Sequence, residues 1–258
     1  MEELINRWAK SRQRMIICPV DDYLIFGPRG GLESYCEKVM EISEARPDAI
    51  LTFCGSLIRF KGGLSQTRLI ANLSASTVLS NHSRKVPVHS VELAEKLGAS
   101  ACAYHINLTS AYESEMIREG AKVVEACFKR GLKSLGIIYP RREFGGEDPD
   151  YEKLKHNELE NYVELIRHCV AVGRELGFDV IKSKYTGTAE TFTNVASAAP
   201  DVPIVIAGGP LLEEEEAIAL AIDACSAGAA GVSFGRNVFG RNNSANFIKK
   251  LKDSLCKV

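Results

Sequence analysis

Residues 202–239 read VPIVIAGGPLLEEEEAIALAIDACSAGAAGVSFGRNVF. Two short apolar runs, 202–207 and 230–234, flank a longer stretch, 213–227, that opens on Glu213, Glu214, Glu215 and Glu216. Four acids at a helix start suit the positive end of its dipole, so this charge run reads as a solvated first turn without chemistry. Gly228 follows the stretch, where a left-handed residue ending a helix costs glycine least. Both apolar runs are continuous instead of alternating, which is the sign of parallel strands covered on the outside by helices. The segment is therefore a strand–helix–strand unit of a parallel sheet.

The same unit recurs towards the N-terminus. Strands are expected at 15–20, 48–53, 68–73, 100–105, 134–139, 179–182, 202–207 and 230–234. Helices are expected at 32–45, 89–97, 112–130, 156–176, 189–198, 213–227 and 242–256, with apolar residues at three- and four-residue spacing such as Met116, Val123 and Cys127. Gly98, Gly131 and Gly177 mark further helix exits. The stretch 55–67 is short and glycine-bearing, so that crossover is expected to lack a helix. Eight units without an interrupting linker predict an α/β fold, a (β/α)8 TIM barrel over 1–258 as one domain, with 1–13 an extra helix closing the bottom. An open doubly wound sheet would need a glycine-rich turn after the first strand, and Asp21, Asp22 and Tyr23 stand there instead.

Composition narrows the function classes. The chain has 258 residues, 45% hydrophobic and 25% charged, with a formal net charge of −1. Such a balance supplies no basic field, so neither nucleic acid nor an acidic membrane is an expected partner. No apolar run reaches the roughly 20 residues of a membrane span, and the first residues lack the apolar core of a secretory signal. A cytoplasmic location is expected. The eight cysteines form no C-x-x-C pair and mostly sit in apolar runs, as buried reduced thiols do. The five histidines show no ligand spacing, and no metal is expected.

Barrel enzymes carry their reacting groups where the strands end. After the seventh strand stand Gly208, Gly209 and Pro210, and after the eighth Gly235, Arg236 and Asn237. Bare backbone N–H groups and one cation on consecutive strand ends make a phosphate cradle. Lys182 ends the sixth strand and points into the barrel mouth. A lysine there needs a proton affinity about three pH units below its usual value of about 10.4, roughly 4 kcal/mol, to serve as a free amine. Burial and neighbouring cations supply such shifts, and the amine then attacks a carbonyl to form a Schiff base. A lysine that pairs with Asp21 or with phosphate and never reacts fits the same position. Tyr139, ending strand five beside strand six, reads as an acid/base group and Asp21 as another or as the residue that holds the lysine, or they are a rim aromatic and a turn acid. Lys184 reads as a solvated loop residue, or as a cation sharing the face of Lys182 that lowers its neighbour's proton affinity, and His105 as a structurally satisfied histidine, or as a member of the site.

These strand ends resemble those of the class I aldolase family that holds archaeal-type fructose-bisphosphate aldolase, 2-amino-3,7-dideoxy-D-threo-hept-6-ulosonate synthase and the phospho-autoinducer-2 thiolase. The resemblance runs from about Met15 to the C-terminus. It is carried by Asp21 with Gly27-Pro28, by Tyr139-Pro140-Arg141, by Ile181-Lys182-Ser183 with Tyr185, by Ala207-Gly208-Gly209-Pro210, and by Gly235-Arg236-Asn237-Val238-Phe239. It implies Lys182 as the Schiff-base lysine, Tyr139 as the proton-transfer tyrosine and Asp21 as its acidic partner. Gly208, Gly209, Gly235 and Arg236 would hold the substrate phosphate. It also implies no cofactor beyond the lysine imine, a phosphorylated sugar or ketone as substrate, and a homo-oligomer, often a decamer.

The chain departs from the family's pattern in places. Asp22-Tyr23 replaces the usual His-Gly after Asp21, Arg142 replaces a glycine after Arg141, and the tryptophan often found near the tyrosine is absent. Arg141, Arg142 and Lys61 are candidates for a second phosphate. The leading expectation is aldol cleavage or formation of a phosphorylated ketose, fructose 1,6-bisphosphate-like, with dihydroxyacetone phosphate as donor. The alternatives that keep the lysine are transaldolase-like amino-deoxy-heptulosonate synthesis and thiolase-type acyl transfer. A barrel isomerase and a non-catalytic phosphometabolite-binding protein stand further off.

Overall fold

The computed structural model of the chain describes every residue except 12, 61, 65, 66, 81 and 142–149. Eight strands pair in chain order: β1 (Met15–Pro19), β2 (Ala49–Phe53), β3 (Arg68–Asn72), β4 (Ala101–Leu108), β5 (Lys133–Pro140), β6 (Val180–Lys184), β7 (Ile204–Ala207) and β8 (Gly231–Ser233). All neighbours are parallel, and β8 returns to β1 to close the barrel. The expected α/β barrel is what the chain forms.

The strands are largely apolar because both of their faces are covered. Met15, Ile17, Val180 and Val205 point into the barrel, whereas Ile16, Cys18, Ile181 and Ile206 pack under the helices. The same alternation turns Lys182 and Lys184 inward with Val180. The helix Glu2–Ser11 buries Leu4 and Trp8 against the inner cluster that includes Met15 and Ile17.

The ladders differ in length. β4 and β5 pair over eight residues, from Ala101 with Lys133 to Leu108 with Pro140. The closing pair of β1 and β8 has three, beginning with Met15 opposite Gly231. A Cβ on Gly231 would lie 2.0 Å from the Met15 carbonyl oxygen, and its φ is +151°, so that rung admits glycine alone.

Helix exits fall at the expected glycines, and Gly131 is the left-handed cap of the helix Glu113–Arg130. One expectation is corrected. The stretch 55–67 does not lack a helix, for Cys54–Phe60 is helical directly after β2 and buries Cys54 and Leu57. Gly55 hid it from the periodicity, and no atom lies within 4 Å of where its Cβ would be. The helix expected at 156–176 is Leu159–Glu175, with a separate helix Asp150–Asn157 before it. A two-stranded hairpin, Ser74–Ala75 with Val86–Pro87, was also unforeseen and lies between β3 and β4. Among the described residues no helix is long and apolar enough to cross a membrane.

Candidate active site

The C-terminal ends of the strands surround a cavity of about 380 Å³. Its lining includes all seven expected site residues: Lys182, Tyr139 and Asp21, with Gly208, Gly209, Gly235 and Arg236. Arg141 lines it too, whereas Lys61 and Arg142 lie outside the described residues.

Lys182 is buried on β6 and forms no ion pair among the described residues, so the inert pairing with Asp21 is not what holds it. Burial pushes its proton affinity below the ordinary lysine value, and Lys184 and Arg236 push the same way against Asp21 and Asp22. The ladder sets Ile137 of β5 opposite Lys182, so Tyr139 and Lys184 occupy the next inward rung. Lys184 is therefore no solvated loop residue: it lies in the strand, half-buried, with its ammonium 5.0 Å from the Tyr139 ring centroid. Tyr139 also meets His105 of β4 edge-on, centroids 5.1 Å apart.

Asp21 follows β1 and is buried, held by a chain of polar side chains across the barrel mouth. Asn72, at the end of β3, donates to Asp21 Oδ2 at 2.8 Å. Ser74 donates from its N–H and its hydroxyl to Asn72 Oδ1, both at 3.1 Å, and its Oγ accepts from the His105 N–H at 2.8 Å. A buried, fully engaged network of this kind fixes the carboxylate's direction. Neither Asn72 nor Ser74 was among the expected site residues: Asn72 ends a strand the periodicity marks, and Ser74 lies beyond it where no period remains.

The glycine end is built close to its neighbours. A Cβ on Gly208 would lie 2.8 Å from Phe234 Cδ1 and 2.9 Å from Asn237 Nδ2, and Gly209 has φ +68°. Buried Asn237 donates to the Gly208 and Pro210 carbonyls at 3.0 and 2.9 Å and accepts from the Leu212 N–H at 2.9 Å. The loop after β7 is thereby clamped to the turn after β8, with Arg236 beside it.

The opposite end is basic: Arg141 was expected there, and Lys85 was not. Lys85, buried beside the hairpin, donates to Ser76 Oγ at 2.7 Å, and Ser76 Oγ lies 3.0 Å from His82 Nδ1. Burial and Arg141 push the Lys85 proton affinity down to about 7. Burial, Lys85 and Arg141 hold His82 neutral, with its pKa near about 3. Asn107 of β4 pins this segment by donating to the Ser83 carbonyl at 2.8 Å. Two buried donor atoms here lack a hydrogen-bond partner, Arg141 Nε and His105 Nε2. His105 is thus not structurally satisfied; its ring is open to the cavity. Among the described residues no three His, Cys, Asp or Glu side chains gather to hold a metal ion.

Comparison with known proteins agrees with this geometry. A 2-amino-4,5-dihydroxy-6-oxo-7-(phosphonooxy)heptanoate synthase of Streptomyces griseus is 34% identical over 245 residues, 94% of this chain and 85% of its own. A 2-amino-3,7-dideoxy-D-threo-hept-6-ulosonate synthase of Archaeoglobus fulgidus is 33% identical over 241 residues, 92% of this chain and 84% of its own. Among solved structures, an archaeal fructose-1,6-bisphosphate aldolase, with its catalytic lysine bound to the carbinolamine intermediate, superposes with a TM-score of 0.84. It is 28% identical and covers 98% of this chain and 99% of its own. The DeoC/LacD family aldolase model matches residues 15–241, and the chain belongs to that family of aldolases.

Proposed function

We propose that this aldolase forms and cleaves a phosphorylated ketose through a Schiff base on Lys182, with dihydroxyacetone phosphate as the donor half. The observation that carries the reading is the buried, unpaired Lys182 amine, which faces one cavity with Tyr139, Asp21 and the glycine–arginine cradle. Gly208, Gly209, Gly235 and Arg236 take the phosphate, which sets the ketone carbon over Lys182. The amine adds to that carbon, and the carbinolamine hydroxyl leaves as water with a proton from Tyr139, giving an iminium and the tyrosine phenolate. The carbon–carbon bond beyond it breaks, its electron pair moving towards the iminium nitrogen as an enamine. The proton of the adjoining hydroxyl passes to Tyr139 as the aldehyde forms. Tyr139 returns a proton to the enamine carbon, and water releases the ketone and the free lysine. Asp21, fixed by Asn72, keeps the amine and its iminium oriented. No cofactor or metal enters this sequence of steps.

The acceptor aldehyde lies towards Lys85, Arg141 and His105, an end suited to an acidic group. That feature, with the two synthases named above, favours amino-deoxy-heptulosonate synthesis as the second reading. A homo-oligomer working in the cytoplasm is part of this proposal.

The test is borohydride trapping with dihydroxyacetone phosphate and with fructose 1,6-bisphosphate, read by peptide mass spectrometry. An adduct on the Lys182 peptide is expected. A folded protein that binds phosphate and gives no adduct with these or a wider ketone panel would overturn the reading.

A further inference from the structure

Arg236 reaches into the cavity beside the glycine cradle and stays half exposed. Its one ionic neighbour among the described residues is Asp22, whose Oδ2 lies 4.0 Å from Arg236 Nε. That contact is too long for a hydrogen bond, and among the described residues no other side-chain partner holds the guanidinium. The chain thus places a carboxylate of its own next to the cation that the substrate's phosphate needs. We propose that Asp22 is an internal competitor for Arg236, so that the cradle takes a dianionic tetrahedral group weakly while Asp22 is ionised and tightly once it is protonated. The inference rests on the reading of Arg236 as the phosphate cation.

The surroundings make the competition responsive near neutral pH. Asp22 is followed by the short helix of which it is the first residue, and Asp21 immediately precedes it. The charged groups facing it are Asp21 from the end of β1, Arg236 beyond β8, Lys182 on β6 and Lys85 from the hairpin segment. Burial and the Asp21 charge raise its proton affinity to about 6, against the pull of the three cations. Above that value Asp22 and Arg236 cancel, and an arriving dianion meets a like charge at contact range. Below it the guanidinium acts alone. A bound dianion in turn favours the proton on Asp22, so anion binding and proton uptake are linked.

Sulfate is the probe, because its charge stays constant from pH 5.5 to 8. Its affinity is measured by calorimetry for the intact chain, Asp22→Asn, Asp22→Ser and Arg236→Met at both pH values. Melting curves without sulfate check that each variant is folded. Arg236→Met reports whatever sulfate binds elsewhere, chiefly at the Lys85 and Arg141 end. The expected result is sulfate binding about tenfold tighter in both Asp22 variants at pH 8, and within about twofold of the intact chain at pH 5.5. Unchanged affinity at pH 8, with binding lost in Arg236→Met, would overturn the competition and leave the phosphate cradle standing. Equal tightening at both pH values would overturn the proton linkage. Full sulfate binding in Arg236→Met would remove the cradle reading itself.

Discussion

The Lys184 ammonium lies 5.0 Å from the centre of the Tyr139 ring, two residues along the same strand from Lys182. It holds the ring by cation–π attraction and repels a proton from Lys182. Replacing Lys184 with Met removes that repulsion, so Lys182 binds its proton more firmly. The acidic limb of the kcat/KM profile then moves to higher pH, and activity at pH 7 falls about three- to tenfold. Trapping on the Lys182 peptide persists. A profile superimposable on that of the intact chain would assign Lys184 no part in the chemistry.

Lys182→Met and Tyr139→Phe separate imine formation from proton transfer. The first abolishes borohydride trapping and lowers turnover by at least about a thousandfold. The second keeps the adduct while turnover falls about 10²–10⁴-fold. Trapping that survived in Lys182→Met would transfer the imine to another amine, with Lys85 the first to examine.

Lys85 carries a cost that pH exposes. Its folded proton affinity is about 7 against an ordinary lysine value of 10.5. Between those values the unfolded chain binds the extra proton, so stability rises as pH increases from 7 towards 10. Lys85→Met removes the penalty and stabilises the fold at pH 7 by about 2–4 kcal/mol, less the lost hydrogen bond to Ser76, while weakening the acidic acceptor. Urea unfolding at pH 7 and pH 9.5 checks both signs: the variant's advantage shrinks at the higher pH.

Gly208 and Gly209 adjoin but resist substitution for different reasons. Alanine at 208 drives a Cβ against Phe234 and Asn237, at 2.8 and 2.9 Å, and dislodges the clamp on the cradle. Alanine at 209 has open space and pays only for a left-handed backbone, about 1–2 kcal/mol. Gly208→Ala is expected to raise KM for the phosphorylated donor at least tenfold, and Gly209→Ala to lower the melting temperature with a smaller change in KM. Steady-state kinetics beside melting curves distinguishes them.

The barrel was legible because its strands are apolar on both faces and its helices end on glycines. Cys54–Phe60 escaped because Gly55 interrupts its pattern. At the site, Lys182, Tyr139, Arg236 and the glycines could be found because each ends a strand, a place the periodicity marks. Asn72 ends a strand in the same way and was passed over, whereas Lys85, His82 and Ser74 could not be found, since the hairpin segment that carries them has no period and gains meaning only when folded over the mouth. Lys184 was placed in a loop in one of its two readings because the strand runs two residues further than its apolar run, with the inward alternation maintained by a charged side chain.

The seam between β1 and β8 holds only three residue pairs, and the active site straddles it, with Asp21 and Asp22 on one side and Gly235 and Arg236 on the other. During synthesis the first strand therefore waits for nearly the whole chain before its partner emerges, and the phosphate site comes into being with that last joining. A ligand that fills the cavity packs against residues from both ends of the polypeptide and holds the closed seam together. Amide hydrogens of β1 and β8 should slow their exchange with solvent on ligand addition more than those of the long β4–β5 ladder, which is already secured.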